Sequence, residues 1–168
     1  RVFLGNGNGT FQPQPFVSLD GAPVALAVGD VNGDGAVDLL TTSVSTSRGQ
    51  TLLNDGNGTR FTDLLPFNEV IRPRPLVGDV NGDGAPDLVV LTKQGQVLYR
   101  AGLPSDPGRF LPPRLVNAAA AAARDAALVR TPNGVLVATL DNTAPASLSL
   151  YAPGPLGTFS RIAGPVSP

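Results

Sequence analysis

The chain has 168 residues and a formal net charge of −1, from 12 Lys and Arg against 13 Asp and Glu, with neither Cys nor His. That length suffices for one ordinary core, while the missing His and Cys exclude Ser-His and Cys-His nucleophilic chemistry, thiolate metal centres and disulfide frameworks. No basic block is dense enough for a nucleic-acid footprint, and no apolar run approaches the roughly 18 residues of a spanning helix.

The chain begins at Arg1 with no basic, apolar, small-residue leader, the pattern of a processed or truncated chain. Its first element is a hairpin, in which Val2-Phe3-Leu4 and a second strand after Phe11 flank the turn residues Gly5-Asn6-Gly7-Asn8-Gly9-Thr10. Phe11, Phe61, Phe110 and Phe159 each end such a phrase, at spacings of 50, 49 and 49 residues. A fixed period decides architecture before any single element does. Short strands of branched residues, separated by Gly, Asn and Asp turns without helical periodicity, recur four to a repeat, and repeats of that size predict an all-β fold of propeller blades.

The first apolar run, Pro23 to Val28, leads into Asp30-Val31-Asn32-Gly33-Asp34-Gly35-Ala36-Val37-Asp38-Leu39, and the run Pro75 to Gly78 leads into the near-copy Asp79 to Leu88, 49 residues on. Three carboxylates and a carboxamide at alternating positions make an all-oxygen donor set suited to a hard cation, and calcium is the expected ion. Asp30, Asn32 and Asp34 supply side-chain oxygens at the first, third and fifth positions, the Ala36 carbonyl the seventh, and Asp38 closes the loop. Asp79, Asn81, Asp83, the Ala85 carbonyl and Asp87 repeat this set. Gly35 and Gly84 occupy the bend, where positive φ is needed. An EF-hand would require a bidentate acid at the twelfth position, filled here by Thr41 or Val90, and flanking helices that these short runs do not form. A plain Asn-Gly or Asp-Gly turn explains one copy but not four ligand oxygens in register twice.

The two runs before the loops are expected innermost, buried on both faces, and Phe61 to Phe67 further out. Pro13, Pro15, Pro73, Pro75, Pro112 and Pro113 are expected in connections between repeats. The third repeat replaces the acidic loop with Arg130-Thr131-Pro132-Asn133-Gly134, which has no ligand set. Ahead of it, Ala118 to Ala123 fits a helical turn or an inter-blade connection equally. These periods divide the chain into a half blade of outer strands at 1–22, blades with calcium loops at 23–72 and 73–120, and a degenerate blade at 121–168. Tyr99 and Tyr151 fall in strands preceding hairpins, where packing is a better reading than a sugar platform. The Asn-Gly-Thr triplets at Asn8 and Asn57 are explained by turn chemistry rather than glycosylation.

On the loops Gly29-Asp30 to Leu39 and Gly78-Asp79 to Leu88, and the hairpins Gly5 to Phe11 and Asn54 to Phe61, the chain resembles the FG-GAP or VCBS-type repeats of integrin-like calcium-binding β-propellers. The resemblance implies extracellular, periplasmic or cell-surface proteins that serve adhesion, ligand binding or assembly, with calcium stiffening the loops. The expectation is a non-catalytic propeller segment with two Ca2+ sites and a protein or glycan partner. About three and a half blades fall short of the four that closure needs, so the segment is part of a larger propeller or is completed by other strands. Two other functions remain open: a structural subunit of a larger extracytoplasmic assembly, and the propeller part of a polysaccharide-acting enzyme. Against the enzyme, Glu69 is the only Glu, and Asp20, Asp55, Asp63, Asp106, Asp125 and Asp141 form no recognisable pair.

Overall fold

A computed structural model describes residues 1–19, 21–43, 45, 48–58, 61–67, 75–117, 122–141 and 147–163. Those residues are all-β, with one short 3-10 turn at Pro155–Gly157. Fourteen strands build four antiparallel sheets: β1 (Phe3–Gly5) with β2 (Phe11–Pro13); β3 (Pro23–Gly29), β4 (Asp38–Ser43), β5 (Arg48–Asn54) and β6 (Phe61–Phe67); β7 (Leu76–Gly78), β8 (Asp87–Leu91), β9 (Val97–Arg100) and β10 (Arg114–Leu115); and β11 (Ala123–Thr131), β12 (Gly134–Asp141), β13 (Ser147–Pro153) and β14 (Phe159–Ala163). Each sheet runs in chain order, so every connection within it is a hairpin. The chain is thus a partial β-propeller of three four-stranded blades and one two-stranded sheet.

The registers show the repeat directly. Gly29 pairs with Asp38 and Gly78 with Asp87, so each acidic loop joins the first two strands of its blade. The outer hairpins match as well, with Gly5 opposite Phe11, Asn54 opposite Phe61 and Gly102 bridged to Phe110. In the third blade Thr131 pairs with Gly134, closing the short turn the sequence predicts.

Blades pack through two apolar clusters. Val31, Leu40, Leu88 and Val90, with Ala27, Leu53 and Val77 against them, join the first full blade to the second. Val80, Val89, Leu91, Val97, Tyr99, Val137 and Tyr151 join the second to the third, and Tyr99 meets the Phe159 ring edge-on at 5.1 Å. Both tyrosines are therefore core residues. The first strands of neighbouring blades touch, β3 with β7 and β7 with β11, and glycine sets how closely they approach. A Cβ on Gly29 would lie 2.9 Å from Val77 Cβ, and one on Gly78 would lie 3.1 Å from Leu128 Cδ1, so a side chain at either position would force the blades apart.

Three expectations are corrected. The most buried strand is β8, second in its sheet, whereas β3 is exposed along one face. The reason is that a first strand is covered only where a neighbouring blade lies over it. Pro112 and Pro113 do not link blades but interrupt the outer edge of the second blade, between the Phe110 bridge and β10, where a missing N–H breaks no central ladder. Ala123 begins β11, while 118–121 of the alanine run lie outside the described residues, as do Pro73 and Glu69.

Candidate metal loops

Each acidic loop is built from turns that the side chains close on their own backbone. In the first, Asp30 accepts hydrogen bonds from the Gly33 and Gly35 amides at 2.6 and 2.9 Å, one on each carboxylate oxygen. Asn32 Oδ1 accepts from the Asp34 amide at 3.2 Å, and Asp34 Oδ1 from the Ala36 amide at 2.7 Å. The Asn32 carboxamide donates to Asp34 Oδ2 at 2.8 Å. Short Asx side chains of this kind hold a backbone that folds back on itself, and Gly33 and Gly35 supply φ of 75° and 85° within it.

The second loop repeats the network. Asp79 accepts from Gly82 and Gly84 at 2.7 and 3.0 Å, Asn81 from Asp83 at 2.8 Å, and Asp83 from Ala85 at 2.8 Å. Asn81 again donates to Asp83, at 2.8 Å.

The closing aspartates differ from the rest. Asp38 and Asp87 are fully buried. Asp38 accepts from Val31 and from Asn54, each at 2.8 Å, and so ties the loop to the third strand of the blade. Asp87 accepts from Val80, Asn81 and Gly102 at 2.8, 3.1 and 2.8 Å. Burial pushes both carboxyls above the ordinary range, opposed by these amides; at Asp38 the charges of Asp34 and Asp30 push further in the same direction. Asp34, fully exposed, is held below the ordinary range by the Ala36 amide and the Asn32 carboxamide. Tyr99 lies beside Asp87, and its phenol is raised by burial first and then by that carboxylate.

The structure thus gathers Asp30, Asn32, Asp34, Ala36 and Asp38 in one loop, and Asp79, Asn81, Asp83, Ala85 and Asp87 in the other. The two loops lie side by side at one end of their blades. Asn32 and Gly33 face Asp83 and Gly84 across a cavity of about 250 Å³. The turn of the third blade completes the row, since Arg130 and Asn133 share a groove with Asp79 and Asn81.

As donors for a cation these residues fit by chemistry: all are oxygens, three per loop carry charge, and a carboxylate oxygen that accepts one amide keeps a second lone pair. Among the described residues no three acidic side chains stand close enough to enclose an ion without drawing inward. Asp38 and Asp87 work in this arrangement as staples between loop and blade.

Sequence reasoning missed four participants. Val31 and Val80 are buried between polar neighbours and anchor the loops in the clusters between blades. Their signal was an identical apolar residue at the second position of both loops. Asn54 and Gly102, the amide donors to Asp38 and Asp87, lie in strands remote from the motif and carried none.

Compared with known proteins, residues 1–41 and 30–90 match the FG-GAP-like repeat family. No curated protein and no solved structure matches the chain.

Proposed function

Because the chain belongs to the FG-GAP-like repeat family, we propose that it is a non-catalytic propeller segment, stiffened by calcium in two loops, that serves as an interaction or adhesion module for a protein or glycan partner. The observation that carries this reading is the duplicated loop, with the same oxygens on the same amides twice in adjacent blades and replaced by a short turn in the third.

Asp30, Asn32, Asp34, the Ala36 carbonyl and Asp38 would hold one ion, and Asp79, Asn81, Asp83, the Ala85 carbonyl and Asp87 the other. The ion supplies positive charge where three carboxylates crowd, and this chain's residues position the loop around it. Because the loop oxygens already accept backbone amides, binding must compete with a satisfied network. Affinity is therefore expected near 10⁻⁴ to 10⁻³ M, the range of extracellular modules, which accords with an extracellular, periplasmic or cell-surface location.

The described acids outside the loops support a non-catalytic reading. Asp106 pairs with Arg109 at 3.2 Å, Asp125 accepts from the Ala126 amide, and Asp141 is buried among the hydroxyls of Thr139 and Ser149. None offers the facing carboxylate pair that glycoside cleavage uses.

Calcium titration by calorimetry, with the thermal midpoint followed in calcium and in chelator, tests the reading. Two sites, reduced to one by Asp34→Asn and to the other by Asp83→Asn, are expected. Equal midpoints in calcium and chelator would mean that the loops are turns only.

A further inference from the structure

The first strand of the first full blade carries an apolar row that nothing covers. Val24, Leu26 and Val28 alternate along β3 and are 53%, 59% and 60% exposed. Across the ladder Val28 stands opposite Leu39 and Leu26 opposite Thr41, so the row continues into the blade. Between this face and the β1–β2 sheet runs a groove of about 560 Å³ walled by Val24, Leu26, Leu39 and Leu52 on one side and Val2 and Val17 on the other.

The same surface is seen covered at the two junctions further along. The residue matching Val28 is Val77 in the second blade, 49 positions on and likewise paired one residue before the closing Gly-Asp pair. Val77 packs against Gly29, and Leu128 of the third blade packs against Gly78. At each junction, then, an apolar residue of one blade enters the space left by the glycine that ends the first strand of the blade before it. Val28 is the third such residue, and its row faces a sheet of two strands where the others have four.

That sheet has an open edge in the matching place. Asn6 donates to the Thr10 carbonyl and Gln14 to the Val2 carbonyl, so by antiparallel alternation the amides of Phe3 and Gly5 point away from β2. Gly5 occupies the position of Asn54 and Gly102, whose amides are taken by Asp38 and Asp87.

We infer that β1 and the Val24-Leu26-Val28 row together form a docking site for a partner β-hairpin of this chain's own repeat type, one whose first strand ends in Gly-Asp before an acidic loop. Its second strand adds antiparallel to the edge of β1, its glycine receives Val28, and its closing aspartate accepts the Gly5 amide. Strand addition of this kind supplies affinity through main-chain hydrogen bonds and specificity through alternate side chains. The stacking rests on the blade junctions and not on calcium, so it is to be measured in chelator as well as in calcium.

The test is to append a copy of residues 75–97 ahead of Arg1, which places the copied hairpin in the register it holds before Leu98. In chelator, the thermal midpoint should rise by at least ~4 °C, as expected of an added interface in a chain of this size. Hydrogen exchange at the Phe3 and Gly5 amides should slow by tenfold or more. Gly→Val at the copied Gly78 position, or Val28→Asp in the chain, should erase both gains, whereas Val129→Asp, exposed in the third blade, should leave them. An unchanged midpoint with unprotected Phe3 and Gly5 overturns the inference. So does protection of the Leu26 and Val28 face by self-association of the unmodified chain, which would make a second copy the occupant.

Discussion

Asp87→Ala is the most informative single change, because it separates the backbone role of the closing aspartate from any role in holding an ion. Asp87 is fully buried and accepts the amides of Val80, Asn81 and Gly102. The Asn81 amide lies close enough to solvent to be rehydrated, whereas Val80 and Gly102 would be left with buried, unmatched donors, at about 1 to 3 kcal/mol each. Part of that loss is offset, since the carboxylate itself is desolvated and its ionised form disfavoured. A net destabilisation of about 3 kcal/mol follows, lowering the thermal midpoint by roughly 6 to 12 °C for a domain of this size. Asp87→Asn keeps one acceptor oxygen and should lose about half as much. The assay is differential scanning calorimetry in chelator, where no ion contributes. Exposed Asp34 provides the contrast: Asp34→Ala should matter chiefly when calcium is present. If Asp87→Ala melts with the unmodified chain in chelator, the three amides are not held by this carboxylate and the staple argument fails.

Leu88→Ala, in the cluster joining the first two full blades, should cost about 2 to 5 kcal/mol by leaving a cavity, read as a lower denaturant midpoint at unchanged slope. Exposed Leu115→Ala should stay within about 0.5 kcal/mol. Gly29→Ala should cost about 1 to 3 kcal/mol because its Cβ meets Val77, and Val77→Ala in the same chain should recover part of that loss. Additive effects of the two changes would show that the clash is absent.

The period, the strand count per blade and the ligand loops were legible because each rests on local chemistry: turn glycines, alternating apolar residues and oxygens spaced along one loop. What could not be read depends on which surfaces meet. Val24, Leu26 and Val28 have the composition of a buried strand, and the apolar pattern alone does not say whether a neighbouring blade covers them. Pro112 and Pro113 fit an inter-blade link as well as an interrupted edge strand, since both need only a missing N–H. Asn54 and Gly102 are ordinary hairpin residues until the fold brings their amides beneath Asp38 and Asp87.

The anchoring valines determine how far an event in a loop travels. Val31 lies between Asp30 and Asn32 in the chain yet is buried with Leu40, Leu88 and Val90, so the first loop is pinned into the junction of the first two full blades. Val80 does the same for the second loop and the junction beyond it. A loop pinned this way cannot open fully without uncovering part of that junction, so any ion held by Asp30, Asn32 and Asp34 adds its binding free energy to the packing of Leu88 as well as to the loop. At a calcium concentration a hundredfold above the dissociation constant the gain is about 2.7 kcal/mol, a factor of roughly 100 in the exchange of any amide that opens with the loop. Hydrogen exchange should therefore slow at Leu88 and Val90 as well as at Gly33 and Gly35 when calcium is added, and Val31→Ala should confine the slowing to the loop. Protection restricted to the loop in the unmodified chain would show that loop and junction open independently, and that Val31 fills space without transmitting anything.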